Sequence, residues 1–81
     1  MALICSYGAR NMTIRLFEYL SAMRVRSEII NTPRELSVGC GISVRFDEKS
    51  LGIVKSAVNS ASKKSFKGIF RMDGRNIQKI Y

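Results

Sequence analysis

Residues 2–6, Ala-Leu-Ile-Cys-Ser, form a short apolar run that ends at Tyr7-Gly8, and such a run predicts a buried strand. From Ala9 the period changes. Ala9, Met12, Leu16, Leu20 and Met23 recur at spacings of three and four with Phe17 beside them, while Arg10, Asn11, Arg15, Glu18 and Ser21 take the other side. This is the pattern of an amphipathic helix, with Ser6 or Gly8 as its expected cap region. Val25 to Asn31 mixes β-branched residues with Arg26 and Glu28, which suits a half-exposed strand, and Pro33 stops further pairing. Thr32 to Gly41 concentrates proline, serine and glycine and is expected as a loop. Ile42, Val44 and Phe46 then alternate with Ser43 and Arg45, the clearest strand signal in the chain.

Asp47 is a good N-cap for a second helical stripe, Leu51, Val54, Val58 and Ala61, which the polar stretch from Ser60 to Ser65 ends. Phe66 to Met72 reads as a fourth strand, followed by an Asp73-Gly74 turn signal. The order βαββαβ predicts an α+β fold, a ferredoxin-like sandwich of two split β-α-β units. Its antiparallel sheet would run 4-1-3-2 with two helices on one face. Residues 1–74 are expected to form this single domain, and residues 75–81 a C-terminal tail or short edge strand. That topology would put the end of the first strand, the 32–41 loop and the 62–66 loop on one edge, with Cys5, Arg34, Cys40, Lys63 and Lys64 within reach of one another. Met12, Met23, Phe17, Phe46, Phe66 and Phe70 are expected to build the core, and Tyr7 could serve either purpose.

Composition narrows the chemistry. The chain has 81 residues, room for one small domain, and no histidine, so Ser-His-Asp and Cys-His catalysis, His-ligated zinc and histidine pH switching are excluded. Two cysteines, Cys5 and Cys40, are too few for a zinc or iron–sulfur site and too far apart for a CxxC motif. With no phosphate-cradling glycine loop either, no cofactor is expected. A net charge of +8 favours anionic partners. The N-terminus lacks a positive n-region, and no run approaches the roughly 20 apolar residues of a membrane helix, so a cytoplasmic protein without membrane contact and with reduced thiols is expected.

The segment Thr32-Pro33-Arg34-Glu35-Leu36-Ser37-Val38-Gly39-Cys40-Gly41, followed by Ile42-Ser43-Val44-Arg45-Phe46, resembles the selenium/sulfur carrier-like family. These are short bacterial proteins with a Pro-Arg-Glu stretch, then Cys-Gly, then an alternating strand. The similarity spans roughly residues 3 to 60. It implies that Cys40 is the carrier cysteine, that Pro33, Arg34, Glu35 and Gly41 form the loop around it, and that sulfur or selenium donor and acceptor proteins are the partners.

Loop chemistry points the same way independently. A carrier needs a thiolate, which nearby cations and a helix N-terminus favour, and the shared edge would supply Arg34, Lys63, Lys64 and the first helical turn near Arg10. Gly39 and Gly41 would leave the sulfur open to a bulky donor. Nothing there is an acid–base group, so a carrier without its own turnover is favoured over an enzyme. Against this, the two glycines also suit a tight structural loop, Arg34 and Glu35 would equally pair with each other or with water at a solvated turn, and Lys63-Lys64 would serve equally as a solvated helix end. Cys5, inside an apolar run, reads as inert core, its alternative being a resolving thiol for Cys40.

Two other classes compete. A small basic nucleic-acid-binding module would use the charge and exposed sheet aromatics, although the third strand offers only Phe46. A regulatory or assembly module would pair its open sheet face or last strand with a second copy as a homodimer.

Overall fold

The computed structural model describes residues 2–36, 41–61, 63–74 and 76–81. Its elements are β1 (Ala2–Tyr7), α1 (Arg10–Ala22), β2 (Ser27–Asn31), β3 (Ile42–Asp47), α2 (Leu51–Ser60), β4 (Phe66–Asp73) and β5 (Asn76–Lys79), with single 3₁₀ turns at Arg34–Leu36 and Glu48–Ser50. The α+β class and the two helices are those the hydrophobic pattern predicts. The sheet departs from the expected four-stranded 4-1-3-2 arrangement. It has five antiparallel strands in the order β2-β3-β1-β4-β5, and β5 takes the edge that β4 was expected to occupy. The Asp73-Gly74 turn accounts for this: Gly74 adopts φ +62, which glycine tolerates, and Asp73 pairs across with Asn76 to start a hairpin.

Central strand β1 is paired on both sides and buried on both faces, so it reads as a continuous apolar run rather than an alternation. Leu3, Cys5 and Tyr7 face the helices and join Leu16, Leu20, Val44, Phe46, Val54, Val58 and Ile69 in the main core. Ile4 points the other way, opposite Arg45 and Phe70, and forms a second cluster with Leu36 and Phe70.

Several expectations for individual residues change. The cap of α1 is Ala9, without a side-chain hydrogen bond, and neither Ser6 nor Gly8 serves there. The buried stripe of α1 is Thr13, Leu16 and Leu20, which leaves Met12 at its flank and Met23 exposed. On α2 the stripe is Val54, Ala57 and Val58, and Ala61 falls just past the helix as an exposed C-cap. Phe70 belongs to the second cluster, on the face away from the helices. Tyr7 is the largest fully buried side chain. Asp47 caps the 3₁₀ turn that precedes α2 rather than α2 itself, whose N-cap is Ser50 without a side-chain hydrogen bond; the Asp47 carboxylate accepts from the Lys49 N–H at 2.9 Å, which holds that carboxyl below its ordinary range.

Candidate functional site: the loop between β2 and β3

Because β1 runs antiparallel to β3 and β4, and β2 antiparallel to β3, one end of the sheet collects the end of β1, the 32–41 loop and the 61–65 connection. The Gly8 N–H donates to the Ser65 carbonyl across this end. The loop itself is closed at its base, where the Thr32 N–H donates to the Gly41 carbonyl at 2.8 Å. Pro33 cannot continue the ladder; its carbonyl instead accepts from the Leu36 N–H at 3.0 Å, making the 3₁₀ turn. That turn drops Leu36, only 8% exposed, onto Ile4 and Phe70, and leaves Arg34 and Glu35 on the surface.

Under the loop base lies a chain of hydroxyls. Ser6 and Ser43, both 0% exposed, stand opposite each other on β1 and β3 with their oxygens 2.7 Å apart, and Ser43 continues to the Thr32 hydroxyl at 2.7 Å. Sequence alone gave Thr32, Ser43 and Leu36 no role at the site and read Ser6 only as a helix-cap candidate. The available signal was serine inside strand patterns at positions the register places opposite one another. Gly41 adopts φ +93 and a Cβ there would meet nothing within 4 Å, so glycine is required by conformation rather than by space.

Pro33, Arg34, Glu35 and Gly41 thus share one anchored loop. Lys63 and Lys64 are exposed on the neighbouring connection, where the Phe66 N–H donates to the Lys63 carbonyl at 3.0 Å. The Lys63 ammonium stands 6.0 Å from the centre of the Tyr81 ring, a ring that packs against the helix-side core. Cys5 is sealed at 0% exposure among the helix-facing residues, and burial pushes its thiol up to about 12. Gly39 and Cys40, expected at this site, lie outside the described residues. Among the described residues no cluster of three or more His, Cys, Asp or Glu side chains could hold a metal ion. No helix among them is long and apolar enough to cross a membrane.

Residues 4–71, a span that contains the whole Pro-Arg-Glu to Cys-Gly loop, match the family described as "Putative Se/S carrier protein-like". The chain belongs to this family. No curated protein and no solved structure matches it. For the Se/S carrier-like fold the aromatic side chains are informative by their placement. Phe46 is 3% exposed and faces the helices, Phe66 packs with Tyr7 and Tyr81, and Phe70 sits in the cluster with Leu36. Among the described residues the sheet face away from the helices therefore offers no exposed ring on which a base could stack.

Proposed function

We propose that this protein is a small carrier, or thiol relay, for reduced sulfur or selenium, with the Cys40 thiolate as acceptor and no turnover of its own. The family match over residues 4–71 carries this reading. The two cysteines add to it by contrast: burial raises the Cys5 thiol to about 12, which favours packing over a resolving role and leaves Cys40 as the thiol to bear the chemistry. In the proposed step the Cys40 thiolate attacks the terminal sulfur of a donor persulfide. A new S–S bond forms on Cys40, the donor's S–S bond breaks, and the donor leaves as a thiolate with the electron pair. A terminal selenium would follow the same balance.

Within this reading Arg34 supports the thiolate, Gly39 and Gly41 give the donor access, and Pro33 and Glu35 shape the loop. Lys63 and Lys64, at the same end of the sheet, add positive potential for docking of donor and acceptor proteins. Both helices pack on one sheet face, which supports a ferredoxin-like reading of the first four strands.

The test is the alkylation rate of each cysteine against pH, read by peptide mass spectrometry on reduced native protein. Cys40 should react fast well below pH 8 while Cys5 stays protected. Loading from a small-molecule persulfide should then be lost in Cys40→Ser. A Cys40 that titrates like a free thiol, near about 8.5, would remove the chemical basis of the proposal.

A further inference from the structure

On the helix side, next to the 61–65 connection, α1 and α2 flank a groove of about 420 Å³. Small Ala57 on α2 faces it, so the two helices leave a gap that a larger side chain would close. Tyr7 of β1 and Tyr19 and Met12 of α1 supply two rings and a thioether to the walls. Tyr7 is fully buried, whereas Tyr19 is among the few large hydrophobic residues left exposed. The polar groups of the lining are few: Arg15, Ser60 and the Tyr hydroxyls, with no acidic side chain among the described lining residues. Arg15 is exposed and in no ion pair among the described residues.

Ligand pockets are typically about 300–1,000 Å³, mainly apolar, with a few convergent polar groups that fix orientation. This groove has that size and make-up, and its one charge is positive in a chain of net charge +8. We infer that the α1–α2 groove is a binding site for a small aromatic carboxylic acid. The flat body lies against the exposed Tyr19 ring and the Met12 sulfur, above the buried Tyr7, and the carboxylate meets the Arg15 guanidinium.

The experiment is a titration of the full chain with 2-naphthoate, followed by two-dimensional amide NMR. Saturable shifts are expected at Met12, Tyr19 and Ala57. Replacing the acid by 2-naphthalenemethanol, or Arg15 by glutamine, should each weaken binding about tenfold, the effect of one charge-assisted contact at a groove mouth. Octanoate should bind more weakly than 2-naphthoate. Ala57→Leu should fill the groove and abolish the shifts; should that variant not fold, the exposed Arg15→Gln change still decides. Unchanged affinity in Arg15→Gln, an alcohol that binds as tightly as the acid, octanoate binding as tightly as naphthoate, or no saturable shifts would each overturn the assignment. Cys40→Ser should bind 2-naphthoate like the parent, which separates this site from the carrier chemistry.

Discussion

Ser43 is the middle of the hydroxyl chain, and its removal should unbalance both neighbours unequally. In Ser43→Ala the Thr32 hydroxyl, only part-buried, can turn to water, but Ser6 is fully enclosed and loses its 2.7 Å partner. A buried hydroxyl deprived of its partner costs about 1–3 kcal/mol, so Ser43→Ala should destabilise by ~2 kcal/mol. Ser6→Ala is milder, ~1 kcal/mol, because Ser43 keeps its bond to Thr32. The double variant removes the stranded group along with its partner and should cost no more than Ser43→Ala alone, a coupling of about 1 kcal/mol. Against the roughly 4–12 kcal/mol that holds a chain of 81 residues folded, these shifts are readable. In urea, with a slope of about 1–3 kcal/mol per molar, the Ser43→Ala midpoint should fall by roughly 1 M. Costs that add to within about 0.3 kcal/mol in the double variant would refute the reasoning. The two serines would then be independently satisfied, and the chain of hydroxyls would not be a unit.

The raised thiol of Cys5 sets a pH dependence with a definite sign. The folded state keeps the Cys5 proton up to about 12, whereas the unfolded chain releases it above the ordinary 9.0. Stability from this group is therefore complete below pH 9 and is lost as pH rises towards 12, by about 2 kcal/mol at pH 10.5. Urea unfolding at pH 8 and 10.5 should show a smaller drop for Cys5→Val than for the parent, and equal drops would contradict the assignment. Gly41→Ala should cost about 1–2 kcal/mol in thermal unfolding, through its φ of +93 alone, since a methyl group finds open space there. A neutral result would mean the backbone relaxes at that position.

Much of the fold was legible because periodicity reports burial directly. The three- and four-residue spacing of Leu16 and Leu20 and the alternation of Val44 with Phe46 each translated into an observed element. What failed was side-chain direction in strands buried on both faces. The β1 run and the serine at position 43 carry no mark of which neighbour lies across the sheet; only the register supplies it. Leu36 lies in an irregular loop segment with no apolar period, and Val38 two positions on is as apolar, so its seat on Ile4 and Phe70 is a tertiary fact with no local signature. β5 was half legible for a similar reason. Its four residues include Asn, Gln and Lys, weak strand formers, and pairing with β4 decides the matter. Of the candidate site, the sequence named the Pro-Arg-Glu residues and Gly41, because proline and glycine act through their own backbones. It missed Thr32, Ser43 and Ser6, because their contribution exists only between strands.

The position of β1 at the centre of the sheet has a consequence for time rather than for shape. A strand with partners on both sides and packing on both faces is released last, whereas the edges β2 and β5 can fray without it. Cys5 sits in the middle of that strand. Its slow labelling in native solution would therefore count whole-molecule openings, and would serve as a clock built into the chain against which every faster thiol event can be timed.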